Sequence, residues 1–312
     1  MNYLKIAWRQ LIRNKSHAFI YIIGLAVGLA VVLLDSLWIH DEWSFNKNFR
    51  NYDHIAQVMH HDTYNGERST LVWNPYHLGD ILRREYGSDF KRIVMSTYPS
   101  GHILTYKEKK FIEVGNYMDS GVSAMLSLQM IKGPLDGLKD PNSILLSESV
   151  AKAFFGNEDP INKIIRIENK ADVMVTGVYR DIPFNSDFKD LTFIAPWNLY
   201  LAIHPEIKSG DPWNNNNYLT YVQIADQGDL ERISAKIKDL KKNKVSKARA
   251  DQNKPELFLH PMSKWHLYPE FKNGVNTGGR IGLVWLFGII GIIVLFLACI
   301  NFINLSTANG QT

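Results

Sequence analysis

Histidines are the residues of this chain whose chemistry would first suggest a metal or catalytic site. The densest group is His60-His61-Asp62, but neighbouring residues of a strand point to opposite faces and cannot all meet one ion. His260 and His266 are separated by Pro-Met-Ser-Lys-Trp and would meet only through a special loop. We therefore interpret these histidines as surface or hydrogen-bonded residues and predict no metal site.

The other catalytic motifs that we sought are absent from the sequence. It contains no GxxxxGK[ST] loop for ATP, no HExxH, no CxxC pair and no GxSxG. The acidic pairs Asp41-Glu42 and Glu158-Asp159 are more typical of solvated loops than of acid–base chemistry. Cys299 is the single cysteine, which excludes an intrachain disulfide. We predict neither an enzyme nor a cofactor-binding protein.

Two apolar runs lie near the ends of the 312-residue chain. A helix over 18–39 would be roughly 33 Å long, enough to cross a hydrocarbon core of about 30 Å, and 281–302 has the same length. The first run is longer than the core of a signal peptide and no small-x-small cleavage site follows it. Two core helices without a polar face would be unusual in a soluble protein. The sequence therefore predicts two transmembrane helices.

The charges that flank the first run indicate its orientation. Basic residues precede it, and acidic residues occur at its outer end: Lys5, Arg9, Arg13 and Lys15, then Asp35, Asp41 and Glu42. Because positive charge is retained on the cytoplasmic side, we predict a cytoplasmic N-terminus. Two spans then return the C-terminus to the cytoplasm and place residues 40–280 outside, in the periplasm of a cell with two membranes.

Two features of the N-terminal region suggest contacts. The segment 1–17 is amphipathic and basic, which is typical of a helix lying on the membrane surface with Trp8, Arg9 and Arg13 at the headgroups. The other interpretation is that this segment continues the first span as a positive-inside anchor, and the two interpretations are compatible. Gly24 and Gly28 form a GxxxG, a spacing that lets another helix approach closely. We predict tight helix packing there.

The middle region alternates between strand and helix patterns and predicts an α/β (α+β) fold. Strands are expected at 53–59, 93–97, 143–146, 163–168, 173–179, 219–224 and 257–260, and helices at 77–86, after Ser147 as far as Gly156, and from Asp229. Turn-rich boundaries lie at 132–134, 209–217 and 273–279. We interpret the last, with Gly274, Gly278 and Gly279, as a flexible joint into the membrane.

A basic run occupies 236–248 (KIKDLKKNKVSKA) in this middle region. It could bind anionic headgroups or nucleic acid, but nucleic acid is not expected outside the cell membrane. A solvated helix face is the plainer interpretation. We predict no nucleic-acid partner.

Several stretches together resemble the N-terminal half of MacB-type, FtsX-like ABC-transporter permeases, in the form common in Bacteroidetes. They occur in the expected order: NYLKIAWRQLIRNKSHAFIYIIGLAVGLA, DPNSILLSESVAKAFFGNEDPINKIIRI, VTGVYRDIPFNSDFKDLTF, YLTYVQI and LFLACINFINLSTA. The resemblance covers nearly the whole chain, and the second and last stretches are specific in combination.

The resemblance implies a two-lobed periplasmic core domain between the first two membrane helices. An outer lobe at about 116–210 would be inserted in a lobe formed by about 45–115 and 211–272. It also implies a dimer, or pseudo-dimer, in the bacterial inner membrane with an ABC ATPase on a separate chain. ATP-driven motion would reach the periplasmic domain by mechanotransmission, for export or envelope remodelling.

The end of the chain departs from that family pattern. Family members have at least four spans and a basic coupling segment, whereas the tail at 303–312 carries no charge, so we expect a truncated permease. Two alternatives share the predicted topology. One is a two-span receptor with an extracytoplasmic sensing domain, and the other is a membrane anchor that binds an envelope hydrolase. The cargo is not predicted.

Overall fold

The structure is a computed structural model that describes residues 15–308. It divides into two compact units, one made of the described residues up to Ser44 and from Gly278 onward, and the other of Phe45–Thr277. The first unit is helical and the second is built on a large sheet. Two apolar helices therefore flank an α/β domain, which confirms the predicted fold class.

The elements have the following bounds. The helices are α1 (Lys15–Ser44), α2 (Leu78–Tyr86), α3 (Val122–Met125), α4 (Glu148–Phe155), α5 (Trp197–Ile203), α6 (Leu230–Ile237), α7 (Leu240–Lys244), α8 (Lys247–Asn253), α9 (Met262–Trp265) and α10 (Ile281–Ala308). The strands are β1 (Ile55–Tyr64), β2 (Glu67–Leu71), β3 (Asn74–Pro75), β4 (Phe90–Ser96), β5 (Ser100–Tyr106), β6 (Lys109–Met118), β7 (Met130–Lys132), β8 (Ser143–Ser147), β9 (Ile164–Ile167), β10 (Ala171–Tyr179), β11 (Phe193–Pro196), β12 (Asn216–Ile224), β13 (Glu256–Pro261), β14 (Glu270–Lys272) and β15 (Val275–Gly278).

The two long helices of the first unit are apolar enough to cross a membrane. The stretches that meet this test are Ile22–Ser44 in α1 and Ile281–Ile303 in α10. Most of their large apolar side chains are exposed. A soluble core helix would bury such side chains, so the exposure fits helices whose surroundings are lipid.

Six strands of the second unit close into a ring. In order they are β6, β11, β8, β10, β9 and β5, and β5 pairs again with β6. Apolar side chains on the inner faces of these strands fill the ring. Among them are Ile144, Val175 and Phe193, each with no exposed area. Ring closure leaves no free edge along most of these strands.

The sheet continues from β6 through β4, β12 and β1 to β13. Helices α2, α6 and α7 supply Leu82, Ile233 and Leu240 to a core shared with β1, β4, β12 and β13. The two-lobe division stays a prediction. The pairing of β5 and β6 with β9 and β11 groups residues 100–118 with the ring, so a lobe boundary would fall between β4 and β5, not near 116.

Local sequence signals explain why the helix α4 begins and ends where it does. The Ser147 side chain accepts a hydrogen bond from the Val150 N–H, which confirms the predicted N-cap. Gly156 follows the last turn with φ +61°, a conformation that costs glycine little. Asp229 caps α6 in the same way, accepting from Glu231 and Arg232. These short elements form where the pattern places them.

The segment 273–279, which we interpret as a flexible joint, contains the strand β15, and its role as a joint stays a prediction. Strands β14 and β15 form a hairpin, and its turn holds Asn273 at φ +52° and Gly274 at φ +78°. Positive φ at both central residues is the type I′ pattern, for which Asn-Gly is the preferred pair. The hairpin was missed because its strands are only three and four residues long. Gly278 and Gly279, at φ +100° and +133°, close β15 and precede α10.

Candidate functional site: the paired membrane helices

Helices α1 and α10 pack against each other through small residues. A Cβ placed on Gly28 would lie 3.1 Å from the Cβ of Ala298, and one placed on Gly24 would lie 2.8 Å from the Asn301 Nδ2. Contacts move toward lower numbers on α10 as they move to higher numbers on α1, so the helices are antiparallel. Close approach of this kind is what small residues permit between membrane helices.

A carboxylate lies within this helix pair. Asp35 belongs to the apolar stretch of α1, and its Oδ2 lies 2.5 Å from where a Cβ of Gly291 would be. Because Gly291 has no side chain, it leaves the space that this carboxylate occupies. A residue larger than glycine at 291 would push Asp35 aside. Nearby, the Trp38 and Phe287 rings contact each other with centroids 4.9 Å apart.

An ion pair joins the two helices where α1 ends and α10 begins. Arg280 Nη1 donates to Glu42 Oε1 at 3.1 Å. Glu42 is only 7% exposed, whereas the Arg280 side chain is 53% exposed, so the carboxylate is shielded from water on one side of the pair only. The acidic residue that sequence analysis uses only for topology thus also fastens the helices together.

The structure places the predicted site residues in different parts of the chain. Gly24 and Gly28 meet α10 of the same chain, and contact with a second chain stays a prediction. Trp8, Arg9 and Arg13 lie outside the described residues. The three glycines of the predicted joint lie at two places. Gly274 lies in the β14–β15 turn, whereas Gly278 and Gly279 lie just before α10.

Sequence analysis missed the partners on α10. Ala298, Gly291 and Asn301 face α1, whereas the predicted packing residues, Gly24 and Gly28, lie only on the first span. The signal was present in the sequence, because Gly288 and Gly291 also lie on α10. An antiparallel pair requires small residues on both helices where they approach.

A buried polar cluster in the second unit is the other concentration of titratable groups. Lys241 Nζ donates to Asp62 Oδ2 at 3.2 Å, and His60 Nε2 lies 3.3 Å from the same oxygen. Tyr64 Oη also donates to it, at 3.1 Å. Lys241 and Asp62 are each 1% exposed and His60 is fully buried. Within residues 15–308, no three His, Cys, Asp or Glu side chains are arranged to hold a metal ion.

Burial and charge set the protonation of this cluster. Burial raises the pKa of Asp62. The contact with His60 and the charge of Lys241 lower this pKa by more than burial raises it, so the pKa of Asp62 lies below its usual range. Burial lowers the pKa of His60 and the pKa of Lys241. The Asp62 carboxylate is thus held ionised by its neighbours. The arrangement is a structural ion pair between β1 and α7.

Comparisons with known proteins agree with this architecture. The family model of the MacB-like periplasmic core domain matches residues 18–240. A domain of a permease protein from Porphyromonas gingivalis has 18% sequence identity and a TM-score of 0.57, covering 68% of this chain and 91% of that one. The periplasmic region of MacB from Actinobacillus actinomycetemcomitans has 19% identity and a TM-score of 0.49, covering 69% and 91%. No curated protein matches the sequence.

The family match spans more than half of the chain, and the solved permease domain shares its fold. The two apolar helices on either side of the domain fit the same type of protein. The chain belongs to the family with a MacB-like periplasmic core domain, the permeases of MacB-type, FtsX-like ABC transporters.

Proposed function

We propose that this chain is a permease subunit that transmits motion driven by ATP hydrolysis to its outer domain. The ATPase is a separate chain at the cytoplasmic face of the bacterial inner membrane. The N-terminus is cytoplasmic and the domain at 40–280 is periplasmic. Two permease chains act as a dimer, and the outer domains move in export or envelope remodelling.

The observation that carries this proposal is the fastening of α1 to α10. Glu42–Arg280 joins the helices at one end, and Gly28–Ala298 brings them together further along. Helices held at both places move as a pair, so a displacement at their cytoplasmic ends reaches their other ends. The chain passes from α1 directly into the outer unit at Phe45 and returns to α10 after Gly278 and Gly279.

Spin labels on the outer unit test the proposal. The native complex with its ATPase is reconstituted in nanodiscs, with Cys299→Ser removing the exposed native thiol and Asn157→Cys carrying the label on an exposed loop. Electron–electron distances between the two labels of a dimer are measured with and without ATP. We expect the distance distribution to change on ATP binding. An unchanged distribution in a complex that hydrolyses ATP contradicts the proposal.

A disulfide locates the helix pairing within one chain. Gly28→Cys with Ala298→Cys, in the Cys299→Ser background, places two sulfur-bearing residues with Cβ positions close to those of a disulfide. After oxidation with copper–phenanthroline, which accepts the two electrons, we expect an intrachain bond, seen as the loss of both free thiols in a chain that still migrates as a monomer without reductant. Cross-linked dimers without the intrachain product would show that these residues face a second chain instead.

A further inference from the structure

A cleft of about 430 Å³ opens beside β5 in the second unit, Phe45–Thr277. Its lining includes Gly101, His102, Glu168, Tyr117 and Tyr200. The volume lies in the range of about 300–1,000 Å³ that is usual for ligand sites. No residue that we assign to helix coupling lies in it, so it is a separate feature of the outer domain.

One wall of the cleft is a strand end that extends past its neighbour. The pairing of β5 with β6 runs from Ser100 to Tyr106, whereas the pairing of β5 with β9 covers Leu104 and Thr105. Glu168 then ends the ladder. Its N–H donates to the Ile103 carbonyl at 2.9 Å, and its Oε1 accepts from the Ile103 N–H at 3.2 Å.

The next backbone pair along β5 belongs to Gly101. Backbone groups of every second residue in a strand point to the same side, so the N–H and C=O of Gly101 point where those of Ile103 do. On that side β9 has already turned away. Gly101 is exposed and brings no side chain of its own, which leaves its backbone open to approach from the cleft.

The side chains around this backbone are aromatic and held in place. His102 Nε2 is 2.8 Å from the Ser100 Oγ, and its Nδ1 is 3.2 Å from Glu168 Oε1. The Tyr117 ring lies 5.5 Å from the His102 ring and 5.1 Å from the Tyr200 ring. Tyr117 is only 1% exposed and supports the other two rings from behind, whereas His102 and Tyr200 are half-buried and offer ring surface to the side chains of a bound segment.

The charge of the lining indicates what kind of segment fits. The lining contains one carboxylate, Glu168, and one ammonium group, Lys170, so its formal charges balance. Burial lowers the pKa of His102 below its usual range, which leaves that imidazole uncharged at neutral pH. The lining therefore favours uncharged side chains over acidic or basic ones.

We propose that an extended, uncharged segment of a partner polypeptide adds as a strand to β5 in this cleft. Its backbone pairs with the N–H and C=O of Gly101, and its side chains lie against His102 and Tyr200, the two rings that Tyr117 supports. Strand addition of this kind obtains affinity from backbone bonds and specificity from the pockets for alternate side chains. Binding needs no nucleotide, so the inference is independent of the coupling function.

A peptide library on the full chain in nanodiscs tests this inference. End-capped heptapeptides of uncharged residues are screened for binding. The peptide that binds most tightly is then made in two forms, each with one N-methylated backbone amide, and the methylated residues of the two forms are neighbours in the sequence. We expect one form to lose about tenfold in affinity, equivalent to about 1.4 kcal/mol, because the methyl group blocks pairing with Gly101. The other form should bind within about twofold of the parent, because its methyl group faces away from β5.

A second measurement reads out the site itself. Binding of the parent peptide should slow hydrogen exchange at the Gly101 amide, and Gly101→Pro, which lacks the N–H, should reduce affinity about tenfold. The exchange measurement on the unaltered chain stands even if the proline variant folds poorly. Equal binding of both methylated forms, unchanged exchange at Gly101, or a library without binders overturns the inference.

Discussion

Gly28 of α1 and Ala298 of α10 are in direct contact, with the Cβ position of Gly28 3.1 Å from the Cβ of Ala298. Gly28 is buried while most neighbouring residues of α1 are exposed. The GxxxG is therefore a contact surface between the two membrane helices of a single chain. Because that surface joins the helices that lead into and out of the outer domain, the proposed coupling predicts that its disruption weakens the ATP-driven motion.

Replacing Gly28 with Leu should separate the helices. A leucine side chain has no room beside Ala298, and overpacking of this kind costs about 1–3 kcal/mol. We expect a lower free energy of unfolding in detergent, measured by tryptophan fluorescence in urea, and a smaller ATP-driven change in the outer-domain distance.

Ala30→Leu is the matched control, since Ala30 is exposed on α1 and leucine there should face lipid. It should leave both quantities near those of the unaltered chain. Equal effects of the two variants would show that Gly28 has no special place in the packing.

Some elements of the outer domain could be predicted because their signals are local, whereas strands such as β5, β6 and β11 were not. Ser147, Gly156 and Asp229 act through bonds to residues within a few positions, so a short stretch of sequence contains the whole cause. The ring closure of β11 onto β6 could not be predicted in this way. It joins residues almost eighty positions apart, such as Gly115 and Phe193, and no local pattern records that pairing.

The helix-pair site was predictable in part for the same reason. The GxxxG spacing of Gly24 and Gly28 is local and indicates a helix contact. Which helix it meets depends on the antiparallel register that brings Ala298 beside it. The Glu42–Arg280 pair joins residues from opposite ends of the chain and becomes visible only in the fold.

Replacing Lys241 with Met should destabilise the outer domain strongly. Asp62 would remain buried without its cation, and breaking a buried pair by removing one partner costs about 3–5 kcal/mol. The free energy of unfolding in urea measures the effect. The double variant Lys241→Met with Asp62→Leu should recover much of the loss, because no unpaired charge is left.

Lys242→Met is the control for this pair, since Lys242 is adjacent and exposed. We expect a change within about 0.5 kcal/mol for such a surface substitution. If Lys241→Met were equally mild, the ion pair would contribute nothing to stability.

Stability should fall as the pH drops from about 6.5 toward 4. Burial lowers the pKa of His260 to about 4, and burial likewise lowers the pKa of His61 to about 4. Between pH 6.5 and 4 the unfolded chain binds protons at these histidines that the folded chain does not. This difference favours unfolding, by up to about 3 kcal/mol for His260. Burial raises the pKa of Asp119 and of Asp187, which acts in the opposite direction at the acidic end.

Urea unfolding at several pH values checks this dependence. His260→Phe removes one titrating ring. The free energy of unfolding should then fall less steeply between pH 6.5 and 4, and the part of the decline that is due to other groups should stay. A variant with the same pH dependence as the unaltered chain would contradict a buried, neutral His260.

Replacing Gly279 with Ala should weaken coupling at the entry to α10. Gly279 has φ +133°, which an L-residue adopts only with strain of about 1–3 kcal/mol. We expect a smaller ATP-driven distance change between labels on the outer domain. Gly282→Ala is the control, because a Cβ at Gly282 meets nothing within 4 Å. Identical behaviour of both variants would remove Gly279 from the coupling path.

The placement of the domain outside the cytoplasmic membrane can be measured most directly by cysteine labelling in cells. Asn157→Cys and Asn2→Cys are made singly in the Cys299→Ser background and exposed to a membrane-impermeant maleimide in spheroplasts. We predict labelling at 157 in intact spheroplasts and at position 2 only after lysis. Labelling at position 2 with protection at 157 would contradict the account.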